Sequence, residues 1–149
     1  MLILIYSTMI IRKVLEKDLE VIFQVGESEN NFQVGEDIPS FWPKDILQKW
    51  IKSDSDITLI SEDKNVIIGY ILSSYHEPTR KAVIENLWVH PKYRNQGIGS
   101  QLLGECVKLL IKKGARYICA LTKDEFVVSF FEKKGFERGD SFVWMIKLT

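Results

Sequence analysis

Apolar and polar residues follow two different periods along this chain of 149 residues. In some segments they alternate, as in a strand with one buried face, and in others an apolar residue recurs every three or four positions, as in a helix packed on a core. The alternating pattern predicts five strands and a closing pair of strands. These are Thr8 to Lys13, Ile57 to Ser61, Val66 to Tyr75, Ala82 to Val89, Tyr117 to Leu121, and Phe136 to Arg138 with Phe142 to Leu148.

The helical period predicts four helices. The second begins at Pro43, which suits the first turn of a helix because no N–H donor is needed there, and the third ends near Gly114, a typical C-terminal cap. The fourth covers Asp124 to Lys134. The apolar faces of the four helices are, in order, Leu15, Leu19, Ile22 and Phe23; Ile46, Leu47, Trp50 and Ile51; Ile98, Leu102, Leu103, Cys106, Leu109 and Leu110; and Phe126, Val127, Phe130 and Phe131.

The connections between these segments decide how the strands pair. Short turns at 62–65 and 77–79 join three consecutive strands, which predicts an antiparallel meander. A helix separates the strand that ends at Val89 from the strand that begins at Tyr117, so these two strands are expected to run parallel. With 46% hydrophobic residues, the chain fits one mixed α/β domain over residues 1–149, in which residues 1–8 are either a leader or an extension of the first strand.

Charge and composition exclude several classes of partner. The 20 basic and 20 acidic residues give a formal net charge of zero, so the overall charge does not draw the protein to nucleic acid or to an anionic membrane. The apolar start, residues 1–6, is far shorter than the ~20 residues of a membrane span and lacks the features of a signal peptide. Cys106 and Cys119 have no paired spacing and are predicted to be buried free thiols in a reducing compartment, which favours a cytoplasmic protein. His76 and His90 have no second ligand at metal spacing, so no metal is expected.

The run Arg94-Asn95-Gln96-Gly97-Ile98-Gly99 lies between a predicted strand and the start of the third helix. Gly97 and Gly99 allow an anion to approach the backbone, the helix start directs free N–H groups to the same point, and Arg94 adds a positive charge. The run therefore predicts a diphosphate-binding turn. A Rossmann fingerprint would need Gly or Ala where the chain has Leu102, and a Walker loop would need Gly-Lys-Ser/Thr where it has Gly99-Ser100-Gln101.

Two motifs together resemble the GNAT superfamily of N-acetyltransferases. The first is Leu87-Trp88-Val89-His90-Pro91-Lys92-Tyr93 followed by the glycine run, which matches Arg/Gln-x-x-Gly-x-Gly/Ala after a strand that ends in Leu-x-Val. The second, Phe130-Phe131-Glu132-Lys133-Lys134-Gly135-Phe136, is similar to the family's later motif of an aromatic pair followed by Gly-Phe. The resemblance extends from Met9 onward.

The resemblance implies a fold and a co-substrate. The GNAT fold has a central, mostly antiparallel sheet of six to seven strands, splayed between the fourth and fifth strands and flanked by four helices. Acetyl-CoA would place its diphosphate on the glycine run and its pantetheine arm, paired like an extra strand, beside the preceding strand, and no metal is required. The coenzyme-binding residues implied are Leu87, Trp88, Val89, Arg94, Asn95, Gln96, Gly97, Ile98, Gly99, Ser100 and Phe131.

An amine must lose a proton before it attacks a thioester, so a carboxylate near the thioester is a candidate base. Strand alternation places Glu85 on the face of Val83, Leu87 and Val89, where it would act as a general base through a water or pair with a neighbouring cation in a structural role. The family commonly has a Tyr that returns a proton to the leaving thiolate at the position of Phe131, which has no hydroxyl. The candidate replacements for this acid are Ser129, Tyr93 and Tyr117.

The acceptor side is less defined by the sequence. From Gly26 to Pro43 there are four acidic residues and no Lys or Arg. In the family this segment borders the acceptor pocket, where negative charge would favour a cationic amine; the other interpretation is a solvated acidic loop. Four aromatic residues are either walls of this pocket or plain core: Phe41, Trp42, Tyr75 and Trp88.

The expected activity is transfer of an acetyl group from acetyl-CoA to a primary amine by direct attack in a ternary complex, with a polyamine or other small amine, a lysine-bearing peptide or a protein N-terminus as acceptor. One alternative is a non-catalytic acyl-CoA-binding regulatory module, which the absent Tyr favours. Another is an enzyme for longer acyl chains, which Trp88 disfavours if its ring faces the coenzyme tunnel. The apolar final strand permits a homodimer.

Overall fold

A mixed sheet of five strands, in the order β1-β2-β3-β4-β5, forms the centre of the computed structural model, which describes residues 8–29, 32, 41–140, 145 and 147. The strands are β1 (Ile10–Lys13), β2 (Ile57–Asp63), β3 (Val66–His76), β4 (Lys81–Val89) and β5 (Tyr117–Ala120). The helices are α1 (Leu19–Ser28), α2 (Lys44–Ile51), α3 (Ile98–Lys113) and α4 (Glu125–Glu132).

The strand pairing follows from the connections, as predicted. β1 to β4 pair antiparallel with their neighbours in the sheet, and β5 pairs parallel with β4 after the α3 crossover. The turn between β2 and β3 is Lys64-Asn65, and both residues have positive φ, the conformation of a two-residue hairpin turn whose twist matches that of the strands. The antiparallel meander and the parallel pairing of β4 with β5 are both confirmed.

Helices cover the two faces of the sheet, and each covered face has its own apolar cluster. On what we call the α3 face, buried residues of β2, β3 and β4 pack against α3 and against Phe131 of α4. On the α1–α2 face, the core is built from α1 and α2 against another set of strand residues and is rich in aromatic rings. The members of this second cluster are Val14, Leu19, Ile22, Phe41, Leu47, Ile51, Ile60, Tyr70, Leu72 and Trp88.

The first helix begins later than predicted. Leu15 is 47% exposed, because a short 3-10 turn, Glu16–Asp18, precedes α1. The buried carboxylate of Asp18 fixes this turn: it accepts hydrogen bonds from the Leu15 backbone N–H (2.8 Å) and from the guanidinium of Arg12 (2.7 and 2.9 Å). A side-chain network that crosses from β1 to the turn therefore overrides the helical period. β1 likewise begins at Ile10 and not at Thr8.

The last third of the chain departs further from the prediction. Phe126, predicted to point inward, is 79% exposed at the start of α4, and residues 136–138 do not form a strand. Phe136 instead packs edge-on against Phe131, with ring centroids 5.0 Å apart. The predicted strand at 142–148 lies outside the described residues except for Met145 and Lys147, as do residues 1–7, so five strands are described where six to seven are expected for the fold.

Candidate active site

The two halves of β4 have different neighbours. β5 pairs with Lys81 to Ile84 only, so from Glu85 to Val89 the edge of β4 on that side is not paired with β5. On its other side β4 stays paired with β3, but the register shifts: Leu72 is opposite Asn86 and Ser73 is opposite Ile84. Glu85 is therefore an extra residue, a β-bulge, at the point where β4 and β5 separate.

The bulge changes which side chains face each cluster. Before it, Ala82 and Ile84 belong to the α3-face cluster, and after it Leu87 and Val89 pack against that cluster. Trp88 lies in the α1–α2-face cluster, stacked on Tyr70 with ring centroids 5.6 Å apart. Trp88 would disfavour a longer acyl donor only if its ring faced the coenzyme tunnel, and this geometry gives that condition no support.

Alternation predicted that Glu85 shares a face with Leu87 and Val89, but in the structure it lies on the other face. Its Oε1 accepts a hydrogen bond of 2.6 Å from the Ser74 hydroxyl. The strand neighbours of Ser74 face α3, since the Ser73 hydroxyl contacts Cys106 and Tyr75 is in the α3-face cluster. Ser74 and Glu85 therefore lie on the α1–α2 face, together with Asn86, because a bulge places two consecutive residues on one side.

The backbone of the unpaired half of β4 presents donors to the fork between β4 and β5. The His90 N–H donates to the Ile68 carbonyl of β3 (2.8 Å), and because hydrogen-bonding direction alternates along a strand, the N–H and C=O groups of Leu87 and Val89 point away from β3. The Val89 carbonyl accepts a hydrogen bond from Arg94 Nε (2.9 Å). The N–H groups of Leu87 and Val89 are thus directed at the space that β5 leaves open.

The glycine run forms a turn that leads into α3. Asn95 and Gly97 both have positive φ (60° and 84°), and α3 begins at Ile98, with the Gln101 N–H bonded to the Gly97 carbonyl (3.0 Å). Amides before Gln101 in the first turn have no carbonyl one turn earlier to bind, so they point out from the helix start. A Cβ on Gly97 would meet only the end of the Gln101 side chain, at 4.0 Å. The turn is therefore open at Gly97.

Gly99 is more enclosed than Gly97. A Cβ there would lie 3.5 Å from Val89 and 3.7 Å from the Phe130 ring, ordinary contact distances. Gln96 donates from its side chain to the Lys92 carbonyl (3.2 Å) and closes the turn from outside. Ser100 is half-buried in the first turn of α3. The turn and the helix start predicted at residues 94–100 are thus present in the backbone, with a close approach to α4 at Gly99.

The charged partner of Arg94 comes from α1. Arg94 Nη2 lies 3.7 Å from Glu29 Oε2, just beyond the end of that helix. The rest of the acidic segment from Gly26 to Pro43 falls mostly on residues 30, 31 and 33–40, outside the described residues. The pairing places one acidic group of that segment beside the glycine turn.

Two indole rings hold the bulge on the α1–α2 face. Trp42 Nε1 donates to Asn86 Oδ1 (2.7 Å), and Trp50 Nε1 donates to the Ser73 carbonyl (3.2 Å). The two rings meet edge to face, 5.1 Å apart, and both side chains are half-buried. Of the four aromatic residues left open by the sequence, Phe41, Tyr75 and Trp88 are buried core, whereas Trp42 lies beside the bulge.

Asn86 is a site residue that the sequence did not single out. It is 7% exposed, and its side chain is bound by Trp42. A buried amide needs a partner, so a second polar residue beside Glu85 in an otherwise apolar strand was a signal for the bulge. Simple alternation would have sent it to the opposite face.

The residues considered as proton donors lie in different places. Phe131 is buried on the α3 face, edge-on to Phe130 (5.4 Å), and Tyr93 is half-buried beside His90. The exposed Ser129 donates to the carbonyl of Glu125 (3.0 Å) within α4. Tyr117 is 66% exposed and pairs with Lys81, at the end of β4 away from the fork. Among these candidates, the position of Tyr117 at the far end of β4 argues against a role for it at the fork.

The two cysteines also differ. Cys106 is buried on α3, and burial raises the pKa of its thiol to about 11. Cys119, predicted to be buried, is only half-buried, because its neighbours Ile118 and Ala120 take the positions against the α3-face cluster. Its side chain therefore lies on the face of the sheet that carries Glu85. Both are free thiols, as predicted.

A family model described as the Acetyltransferase (GNAT) family matches residues 22–136, well over half of the chain. The chain belongs to this family. The matched residues contain both halves of β4, the glycine turn and α4. The resemblance drawn from the two motifs is thereby confirmed.

Known GNAT proteins are similar to this chain in sequence and in fold. Acetyltransferase SG1711 of Sodalis glossinidius (strain morsitans) is 28% identical over 71% of this chain and 82% of its own length. The aminoglycoside N-acetyltransferase AAC(6')-Iy, solved with a bisubstrate analogue, CoA-S-monomethyl-acetylneamine, has a TM-score of 0.76 at 19% identity over 96% of this chain and 100% of its own. A ribosomal-protein-alanine N-acetyltransferase from Brucella melitensis has a TM-score of 0.72 at 19% identity, covering 86% and 84%.

These comparisons show that the protein is a GNAT N-acetyltransferase with the GNAT fold. Within the described part of the chain, no helix is long and apolar enough to cross a membrane. The same residues contain no group of three or more His, Cys, Asp or Glu side chains placed to hold a metal ion.

Proposed function

We propose that the protein transfers the acetyl group of acetyl-CoA to a primary amine by direct attack, with both substrates bound together. The observation that carries the proposal is the coincidence at Glu85: the bulge that turns a carboxylate to the α1–α2 face lies where β5 leaves the β4 edge open. A thioester in the fork would reach the carboxylate side of the sheet without crossing a paired strand.

The fit of acetyl-CoA is supported by donors on two neighbouring elements. The start of α3 and the open Gly97 suit a diphosphate, with the guanidinium of Arg94 beside them. The N–H groups of Leu87 and Val89 suit the amide-bearing pantetheine arm, which would pair like a short strand. The carbonyl of Val89 is held by Arg94, so the N–H of Val89 is the group left for such pairing.

In the proposed reaction, residues of the protein bind the thioester carbonyl and accept one proton from the amine. The Leu87 N–H is directed to hold the thioester carbonyl oxygen, where negative charge develops during attack. The amine nitrogen forms a bond to the carbonyl carbon, the C–S bond breaks, and the electron pair leaves with the sulfur as a thiolate. Glu85 takes, through a water, the proton that the ammonium group loses before attack, and the second proton, which the nitrogen loses as the amide forms, reaches the thiolate by way of solvent.

A dedicated acid is not required for this scheme. A coenzyme thiol with a pKa of ~8.5 leaves readily as a thiolate and takes a proton from solvent afterwards. Phe131, where many relatives have Tyr, is buried on the α3 face and would bind the coenzyme arm by apolar contact at most. Ser129 already donates to the Glu125 carbonyl, which weakens its case as the acid.

The acceptor is proposed to be a cationic amine. The α1–α2 face beside the bulge offers the Glu85 carboxylate and the faces of two indoles, Trp42 and Trp50, all of which attract an ammonium group. Structural neighbours are named for aminoglycosides and for a ribosomal-protein alanine, so an amino sugar and a peptide N-terminus are both suitable test acceptors. A partly free α-amine would depend on the base less than a lysine amine.

The test is an amine panel with acetyl-CoA, scored by thiol release and by the mass of the product. The panel contains polyamines, amino sugars, a lysine peptide and peptides with free N-termini, and longer acyl-CoA donors are run in parallel. The proposal expects a product heavier by one acetyl group for at least one amine. Tight coenzyme binding with no thiol release for any amine would instead favour the acyl-CoA-binding module, and preference for a longer donor would correct the donor.

A further inference from the structure

Glu85 is held by a hydroxyl on the neighbouring strand, and this contact lies outside the two sequence motifs. Ser74 of β3 donates to Glu85 Oε1 at 2.6 Å, within the usual range of an O–H···O hydrogen bond. Both side chains are half-buried. Because the carboxylate has two oxygens, this bond occupies one and leaves Oε2 for a water or an amine.

Ser74 is itself firmly placed. On one side, the Ser73 hydroxyl donates to the Ile57 carbonyl (2.9 Å) and the Ser73 carbonyl accepts the Trp50 indole N–H (3.2 Å). On the other side, the Tyr75 N–H donates to Asp56 Oδ1 (2.8 Å). A residue between two such anchored neighbours has little freedom to move, which is what the support of a reactive side chain requires.

The bulge explains why the pair can form. In the register of the strands, Ser74 is directly opposite Val83, and Glu85 is the residue inserted between Ile84 and Asn86. An inserted residue has no cross-strand partner of its own, so its side chain would otherwise be free to rotate. The Ser74 hydroxyl supplies the missing partner.

We propose that Ser74 is a positioning residue for Glu85: its hydroxyl orients the carboxylate toward the fork. The inference rests on the proposed function of Glu85 as the base. The alternative is that Ser74 and Glu85 form a polar pair that only stabilises the sheet.

The charged side chains around the Ser74–Glu85 pair are the same in all the variants used in the test. The charged residues of α2 pair with other exposed groups, Lys44 with Glu20 and Lys49 with Asp45, and Glu29 after α1 pairs with Arg94. Within the described residues, the other titratable or charged side chains assigned to the same face of β3, β4 and β5 are Tyr70, His76, Lys81, Tyr117 and Cys119.

The experiment measures kcat and KM separately for Ser74→Ala with an acceptor identified in the amine panel. Without the hydroxyl the carboxylate is free to rotate away from the fork, so kcat is expected to fall by about threefold to tenfold while KM for the amine stays within about twofold of the wild-type value. Coenzyme affinity is expected to stay unchanged. Ser74→Thr, which keeps a hydroxyl, is expected to restore the wild-type kcat, and Ser55→Ala, at an exposed turn, is the matched control.

A second arm separates this proposal from the proposed base. In the Glu85→Gln background, Ser74→Ala is expected to have no further effect, because the group on which it acts is gone. If Glu85→Gln lowers kcat but Ser74→Ala does not, only the role of Ser74 is overturned. If Glu85→Gln keeps the wild-type kcat, the base itself is wrong. The same fall in kcat for Ser74→Ala with Glu85 present and in the Glu85→Gln background would show a structural pair.

Discussion

The two halves of β4 belong to one continuous strand but have different roles. From Lys81 to Ile84 the strand is paired on both sides, and Ala82 and Ile84 are sealed in the α3-face cluster. From Glu85 to Val89 it is paired with β3 alone, and polar side chains take positions beside apolar ones. The first half anchors the strand in the sheet, and the second half has backbone and side-chain groups left to bind other molecules.

The difference is produced by one inserted residue. Glu85 shifts the register against β3 and adds a carboxylate to the face that already carries Asn86, while β5 ends its pairing at Ile84. Sheets commonly use a bulge in this way to aim a side chain and to end a ladder. Stability and chemistry are thus separated along a single strand, and substitutions in the two halves are expected to have different effects.

The largest effect is expected at the glycine turn, which extends the open half. Gly97→Arg would place a side chain where a diphosphate approaches and would strain a residue with φ of 84°, so coenzyme affinity should fall by roughly a hundredfold or more, as two or more charge-assisted hydrogen bonds are lost. Isothermal titration with acetyl-CoA measures the loss. Gly104→Arg, on the exposed side of α3 with nothing within 4 Å of a Cβ, is the control for charge and fold. Wild-type affinity in Gly97→Arg would contradict the assignment of the turn.

Glu85→Gln is expected to have the next largest effect. A base that activates the amine contributes about a hundredfold or more to the rate, and its loss should be felt most at low pH, where little free amine exists. The measurement is kcat/KM across pH, together with coenzyme affinity, which should stay within about twofold of the wild-type value. Turnover equal to that of the wild type at every pH would exclude Glu85 from the mechanism.

A smaller effect is expected from Trp42→Phe. The variant keeps an aromatic ring but removes the N–H that binds Asn86, so a buried amide oxygen loses its partner at a cost of about 1–3 kcal/mol in the free energy of unfolding. Because Asn86 follows the bulge directly, turnover should also fall by several fold while coenzyme affinity stays constant. Urea unfolding and steady-state kinetics test both parts. An unchanged free energy of unfolding would mean that the indole does not hold the bulge.

The smallest effect is expected in the paired half. Ile84→Val removes one buried methyl group and should lower the free energy of unfolding by about 0.5–1.5 kcal/mol, with no change in coenzyme affinity. Urea unfolding and titration of acetyl-CoA provide the two numbers. A weaker affinity for the coenzyme would show that the two halves of β4 are not separate in function.

The sequence predicted the parts of this architecture that depend on local pattern. The apolar face of α3 follows from residue spacing, and its end at Gly114 follows from the special conformational range of glycine. The turn around Lys64 and the parallel pairing of β5 follow from connection length. These features needed no knowledge of distant contacts.

The features that the sequence did not predict depend on contacts between distant residues. Glu85 was placed on the wrong face because strict alternation contains no bulge, and the bulge is stabilised by Ser74 and Trp42, which are 11 and 44 residues away from their partners. Leu15 is exposed because Asp18 and Arg12 form a turn there. The period of a strand or helix is a local signal, and tertiary hydrogen bonds override it at the site.

The most direct test of the account is a crystal structure of the protein with acetyl-CoA. The account predicts diphosphate oxygens within hydrogen-bonding distance of the N–H groups of residues 97–100, the pantetheine arm along Leu87 and Val89, and the acetyl group at the fork on the side of Glu85. A coenzyme bound elsewhere, with the glycine turn empty, would contradict it.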